Sequence, residues 1–306
     1  MKVSVVIETI TARYDAPPAA LPDSLSETMA ALDRQTFRDF ETIIVTDDGV
    51  DAATEEQLRR RYPTALLVHA DAENYFANKN AGAVASRGEF IALLDSDCVP
   101  AADWLDVLLS RFDPGVSVVA GRTRYTGNSL AARTFSVPDF AHVISTYGDA
   151  ASGFNINNMA YRREVFLKYP FDARIRRNGG CYFNFYSLRE AGLRVVYEPR
   201  ASVSHGLDIA GLGFVRKHYD RGYDGVGVYR VDERGVLRGT RLFKKFGGVA
   251  LVGFTGRRIL IDWARLARHR RQIGISVFTL PYYCAVSVTT RLIELAGGLT
   301  AVIKKS

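Results

Sequence analysis

The sequence is poor in three things, and each lack excludes something. Cysteine is the first: 306 residues hold three, Cys98, Cys181 and Cys284, with no close pair. Cysteine-based zinc frameworks and disulfide scaffolds are excluded, and the usage suits a reducing compartment. A leader is the second. Met1-Lys-Val-Ser-Val-Val-Ile7 holds too short an apolar run for a signal peptide and reads as the start of a strand. Nucleic-acid modules are the third. The basic residues lack interleaved stacking aromatics and a known motif, so no nucleic-acid partner is expected.

What is present is a globular composition, 47% hydrophobic and 24% charged, with length for one large α/β domain and an appendage. The net charge of +7 is unevenly placed. Residues 206–306 hold 18 lysines and arginines against 7 acidic residues, while residues 1–205 hold 22 against 26. The basic excess belongs to the last third.

Strand and helix patterns alternate along the first 205 residues. Strands are expected at Val3–Ile7, Phe40–Val45, Ala65–His69, Phe90–Asp95, Val116–Ala120, Arg194–Tyr197 and Ala201–His205. Helices are expected from Asp23 or Ser24 to Leu32, then over Thr54–Tyr62, Asn78–Ala85, Ala101–Phe112 and Tyr182–Ala191, with one starting near Arg162. Residues 121–152 read as a long excursion over the site. This alternation predicts an α/β fold, a mostly parallel sheet with helices on both faces.

The densest chemistry lies at Phe90-Ile-Ala-Leu-Leu-Asp95-Ser-Asp97-Cys98-Val-Pro100. Five apolar residues make a buried strand that runs into two carboxylates, and Pro100 is expected to stop it. Ligands of open α/β sheets bind beyond the carboxyl ends of strands. Asp95 and Asp97 point to one side and repel unless a cation lies between them; Mg²⁺ or Mn²⁺ with substrate phosphates would serve. The plainer alternative is an aspartate capping a helix from about Ala101.

Other pieces complete a pattern: Ser-Val-Val-Ile with Thr9, Ile-Ile-Val-Thr-Asp47-Asp48-Gly49, Asn78-Lys79-Asn80-Ala-Gly82, Asn157-Asn158-Met-Ala-Tyr, Pro-Phe171-Asp172, Arg189-Glu-Ala-Gly192 and Ala-Ser-Val-Ser-His205. In this order and spacing, over residues 2–205, the chain resembles family 2 glycosyltransferases of the GT-A fold. The resemblance implies a Rossmann-like mixed sheet and a hexosyltransferase of the polysaccharide-biosynthesis kind. It would move a sugar from a nucleotide-sugar donor to a saccharide or lipid-linked acceptor with Mn²⁺ or Mg²⁺. It places Thr9, Asp47, Asp48, Lys79, Asn80, Asp95 and Ser96 around the nucleotide, and Asp95, Asp97 and His205 at the metal. Outside the resemblance, Asp47-Asp48-Gly49 is an ordinary turn and His205 a structural histidine.

The chain departs from the family at two places. Glu8 stands where proline is usual, and Gly180-Cys181 stands where the family has its Glu-Asp base. Cys181 would need a depressed pKa, with Arg174, Arg176 and Arg177 as the candidate cause, and thiolates are poor bases toward hydroxyls. Asp172 is the other candidate, against a turn role. Three outcomes stay open: an inverting enzyme with a displaced base, a retaining enzyme, or an inactive sugar-nucleotide-binding subunit. A nucleotidyltransferase is disfavoured, because no Gly-rich basic loop follows the first strand.

The chain divides into a catalytic domain, 1–205, and a basic helical region, 206–306. Helices are expected at Phe214–Tyr223 and Ile259–Arg271, with residues 230–245 unpatterned. Ile259, Leu260, Trp263, Leu266 and Ala267 share one face of the second helix, flanked by arginines. That suits an anionic membrane surface, or a helix packed on the main domain. Residues 272–290 carry no charge, and their interruptions favour an interfacial or re-entrant hairpin over a span. The expected location is cytoplasmic, peripheral at the inner face of the cell membrane.

Overall fold

In the computed structural model, the described residues are 1–10, 17–70, 74–127, 130–144, 148–175, 177–206 and 213–304. The first half alternates as expected: β1 (Val3–Glu8), α1 (Leu21–Ser24), α2 (Ser26–Asp33), β2 (Phe40–Asp47), α3 (Ala52–Arg61), β3 (Leu66–Ala70), α4 (Tyr75–Ala85) and β4 (Phe90–Asp95). The four strands are parallel in the order β3-β2-β1-β4. Alternate residues face opposite sides of a strand. Val6, Ile43, Ile91 and Leu93 pack with Phe76 and Ala83 of α4, while Val5, Ile7, Ile44 and Leu94 pack with Met29 and Leu32 of α2. The carboxyl ends come out level: Glu8 lies opposite both Val45 and Asp95. Helix α4 starts three residues before the expected Asn78, because the Asn74 carboxamide accepts from the Phe76 and Ala77 amides, 3.0 Å each.

The second half runs β5 (Cys98–Pro100), α5 (Trp104–Leu109), β6 (Val116–Tyr125), α6 (Leu130–Phe140), β7 (Asn158–Arg162), α7 (Arg163–Lys168), α8 (Gly180–Glu190) and β8 (Arg194–His205). The eight-stranded order is β3-β2-β1-β4-β7-β6-β8-β5, with β7 antiparallel to β4 and β6. Several expectations change here. Pro100 does not end the chain's extended run; a turn at Ser96-Asp97 does, and Pro100 closes an edge strand paired with β8, where its missing donor is tolerated. The two short strands before His205 are one, β8, whose pairing slips from Gly121↔Glu198 to Arg122↔Ser202 around Pro199. Strand β7 was hidden in the expected approach to a helix. It is held by Asn158, fully buried, which accepts from Trp104 Nε1 (2.8 Å) and donates to the Ala201 carbonyl (3.0 Å). The excursion over the site begins later than expected, since β6 runs on to Tyr125.

The last third is helical: α9 (Gly213–Val231), α10 (Thr240–Phe246), α11 (Gly248–Ile273) and α12 (Leu280–Ile303). Helices α9 and α12 touch backbone to backbone. A Cβ on Gly222 would stand 1.8 Å from the Glu294 carbonyl oxygen, and one on Gly297 2.0 Å from that of Tyr219, so only glycine fits. Residues 272–290 form the end of α11, a turn after Gly274 (φ +84°) and the first half of α12. Among the described residues, α12 is the one helix long and apolar enough to cross a membrane by length and composition.

Candidate active site

The level ends of β1 and β4 set the site. Asp95 ends β4, Asp97 lies in the turn after it, and β5 then pairs Cys98 with His205 of β8. This pairing brings a histidine 108 residues downstream to Asp97, Nδ1 to Oδ2 3.3 Å. One ligand atom each from Asp95, Asp97, Cys98 and His205 lies within 4.8 Å of the others. His205 Nδ1 is also 2.8 Å from the Gly206 carbonyl oxygen. A carbonyl only accepts, so Nδ1 is the donor in this bond. The ring is walled by Tyr125, edge-on at 5.5 Å, and Phe140 at 5.8 Å.

Asp95 is held from behind. Its Oδ1 accepts from Lys79 Nζ (2.7 Å) and the Tyr75 hydroxyl (2.8 Å), and Lys79, fully buried, also donates to the Leu94 carbonyl (2.6 Å). Burial pushes the Asp97 carboxyl up, with Asp95 adding to it and His205 opposing. The site therefore disfavours two adjacent carboxylates without a cation. Burial, with Asp97 and Asp95, raises the Cys98 thiol well above its ordinary value, so it stays a thiol. The donor set is two carboxylates and an imidazole, which suits Mn²⁺ or Mg²⁺ better than a thiophilic ion.

The remaining donor-side residues divide. Thr9 follows β1 and donates to the Val45 carbonyl, 2.9 Å. Asp47, buried, accepts from Asn78 Nδ2 (2.6 Å) and the Gly49 amide (2.9 Å). Asp48 is exposed on the rim, 3.2 Å from His69 Nε2, while Glu55 holds the other ring nitrogen at 2.8 Å. The Glu55 and Asp48 bonds raise the His69 pKa. Ser96 is buried in the turn, where its carbonyl accepts from Thr28. The Asn80 carboxamide donates to the Phe171 carbonyl (2.8 Å) and accepts from the Phe171 amide (3.1 Å).

The two base candidates are not prepared for that work. Burial pushes the Cys181 thiol up and Arg221 only partly opposes it. The expected arginines are committed elsewhere, Arg174 to Asp172 and Glu233, and Arg177 to Asp224 and Asp220; Arg176 lies outside the described residues. The depressed thiol that a base role for Cys181 would need is thus not found. Asp172 accepts from Arg174 through both oxygens, and that pairing holds its carboxyl low. At Gly180 a Cβ would stand 2.5 Å from the Phe76 ring, so the family's first carboxylate has no room there.

Sequence reasoning missed a buried charge cluster beside the site. Asp139, at the end of α6, accepts from the Tyr125 hydroxyl, Lys217 Nζ (2.9 Å) and Arg221 Nη1 (2.8 Å), with His218 Nε2 at 3.2 Å. Burial alone would raise its carboxyl, but Lys217 and Arg221 outweigh burial and hold it well below the ordinary range. His218 reaches on to Glu294 of α12, 3.2 Å. The basic face of α9 was a visible signal; its acidic partners lay in weakly patterned or remote stretches.

A model of glycosyl transferase family 2 matches residues 14–172. The chain is similar to a glucosyl-dolichyl phosphate glucuronosyltransferase of Haloferax volcanii, 24% identical over 68% of this chain and 70% of the relative. It is also similar to a pre-mycofactocin glycosyltransferase of Mycobacterium tuberculosis, 31% identical over 53% of this chain and 37% of the relative. Among solved structures, a mannosyltransferase from Pyrobaculum calidifontis in complex with GDP-Man and Mn²⁺ superposes with a TM-score of 0.62 at 17% identity, covering 100% of this chain and 88% of that one. The likeness establishes the GT-A arrangement of the fold.

Proposed function

The chain belongs to glycosyl transferase family 2 and is a glycosyltransferase, and on that premise we propose that it moves a hexosyl unit from a nucleotide sugar to a saccharide or lipid-linked acceptor. The observation that carries this reading is the convergence of Asp95, Asp97 and His205 at the carboxyl end of β4. The donor lies over the ends of β1, β2 and β4, with Thr9, Asp47 and Asp48 toward its nucleoside and Ser96 at the turn beneath. Lys79 holds Asp95 in place and partly neutralises it. Asn80 acts indirectly, by fixing the Phe171 backbone.

Asp95, Asp97 and His205 would hold a Mn²⁺ or Mg²⁺ ion. When bound, that ion supplies Lewis-acid neutralisation of the diphosphate charge. The bond from the anomeric carbon to the donor phosphate breaks with oxocarbenium character and its electron pair stays on the nucleoside diphosphate; the acceptor hydroxyl oxygen forms the new bond and its proton passes to solvent. No base role is assigned to Gly180, Cys181 or Asp172. Residues 1–205 carry the donor chemistry. Residues 206–306 close the site through Lys217 and Arg221 on Asp139, and set the protein at the inner face of the cell membrane.

The test is a thermal-stability screen of GDP-, UDP- and dTDP-sugars with and without Mn²⁺. The reading expects one donor class to stabilise the protein only when Mn²⁺ is present, by about 2.7 kcal/mol at a hundred times its Kd. Stabilisation by none of the donors, with or without the ion, would contradict it.

A further inference from the structure

One imidazole at the ends of β2 and β3 is shared by two carboxylates. Those strands pair Thr46 with His69, and the first turn of α3 brings Glu55 to both. His69 Nδ1 lies 2.8 Å from Glu55 Oε1, and Nε2 lies 3.2 Å from Asp48 Oδ1 in the turn after β2. We propose that His69 is a positioning residue for the donor: its imidazolium ties Asp48 to α3 and so sets that carboxylate for the nucleobase. The proposal rests on the transferase reading, which puts Asp48 at the nucleoside, and adds a residue and a proton to it.

The two carboxylates are held very differently. Glu55 is mostly buried and fixed on its own account: the Thr46 hydroxyl donates to the same Oε1, and Arg59 Nη2 lies 3.4 Å from Oε2. Helix α3 is itself anchored, since Asp51 caps it through the Thr54 amide (2.7 Å) and its Leu58 is buried. Asp48 has no such support. Its side chain is 66% exposed, and among the described residues the imidazole is the one hydrogen-bond partner of its carboxylate. The turn beneath it is fixed, because Asp47 is buried and accepts from Asn78 and the Gly49 amide. Only the Asp48 carboxylate depends on His69 for its place.

Holding both carboxylates takes both ring protons. A neutral imidazole has one N–H and one lone pair, so one of the two contacts would set a lone pair against a carboxylate oxygen. The shorter, better buried contact to Glu55 keeps the proton, and Asp48 is the one released. The Glu55 and Asp48 bonds raise the His69 pKa above its ordinary 6.5, and burial opposes them. The imidazolium is therefore complete below 6.5 and is lost as pH rises through the higher folded value. Among the described residues, the charged groups around the ring are Glu55 of α3 with Arg59 behind it, and Asp48 of the turn after β2. Exposed pairs of this kind add little to stability. What His69 supplies is order: a carboxylate already in place need not be immobilised when a base N–H arrives, which changes affinity by about three- to tenfold.

The affinity of the chain for UDP-glucose, GDP-mannose and dTDP-glucose is measured by calorimetry with Mn²⁺, at about pH 6 and about pH 8.5, on either side of the histidine transition. The diphosphates of these donors are diesters and do not titrate in this range, and His205 is common to every protein compared. For the donor that binds, His69→Gln and Asp48→Ala should each weaken binding at the lower pH. On going to the higher pH, wild type should lose about three- to tenfold more affinity than either variant. In the Asp48→Ala background, His69→Gln should add nothing, because His69 acts through Asp48. The proposal is overturned if either folded variant keeps the wild-type ratio of affinities at the two pH values, so the test stands even if one variant does not fold. It is equally overturned if His69→Gln weakens binding as much without Asp48 as with it, the mark of a histidine that attracts the diphosphate directly. Donor binding by wild type without these differences removes the His69 proposal alone. Binding of none of the three donors with Mn²⁺ removes the transferase reading beneath it.

Discussion

The strand-end cluster and the cluster around Asp139 hold their polar groups by different means. In the first, Thr9, Asp47 and Asp95 sit at the ends of adjacent parallel strands, and their partners come from α4 or the neighbouring strand. In the second, Asp139 is held by residues up to 82 positions away on α9, and His218 joins Glu294 across 76 positions. Strand ends give an arrangement that is rebuilt wherever the local pattern recurs. The second arrangement needs the helical last third to be docked before it exists. The strand-end cluster should therefore tolerate local changes that the Asp139 cluster does not.

The largest effect tests that dependence. Asp139→Asn removes the carboxylate that Lys217 and Arg221 share. Losing one partner of a buried ion pair costs about 3–5 kcal/mol, and the partial exposure of both cations puts this case at the low end. Denaturant unfolding should show that loss, with Mn²⁺-dependent donor binding retained in the folded protein. A variant as stable as wild type would mean that the cluster does not hold the two parts together.

Gly180→Ala comes next. The added methyl meets the Phe76 ring of α4, and overpacking of this kind costs about 1–3 kcal/mol. An unchanged unfolding midpoint would show that the turn before α8 has room, and would reopen the position to a carboxylate.

The pH profile separates the two clusters more finely. The folded pKa of His142 lies at about 4, below the ordinary 6.5. The unfolded chain therefore binds the proton first, and stability should fall as pH drops from 6.5 toward 4. His142→Gln should flatten that part of the profile. A profile that keeps its slope in the variant assigns it to other groups.

The smallest effect is expected at Cys181. With its thiol raised by burial, Cys181→Ala should leave transfer rates within a few-fold. A loss of about 10²–10⁴, the usual contribution of a general base, would return Cys181 to the catalytic residues.

The same contrast explains what could be read in advance. Asp95 and Asp97 were legible because an apolar run fixes a strand and its end, and the strand end fixes the site. His205 was legible only through the family pattern, since its meeting with Asp97 depends on β5 pairing with β8, and a three-residue strand containing proline leaves almost no periodic signal. The Asn80 contact was not legible because spacing reports the helix and not which way a carboxamide turns; its partner, Phe171, lies 91 positions later. Strand β7 escaped because Asn158-Met-Ala-Tyr-Arg is short and runs into α7 without a break. Helices α9 and α11 were legible as helices, but α12 was not, and neither was the contact of α9 with α12, which two glycines on remote segments create.

The central claim is that Asp95, Asp97 and His205 form the metal-dependent donor site. Calorimetric titration of the stabilising nucleotide sugar into wild type and Asp97→Ala, each with and without Mn²⁺, tests it directly. The account predicts tight binding by wild type only with Mn²⁺, and no gain from Mn²⁺ in a folded Asp97→Ala. Equal affinity in the two proteins with Mn²⁺ present would contradict it.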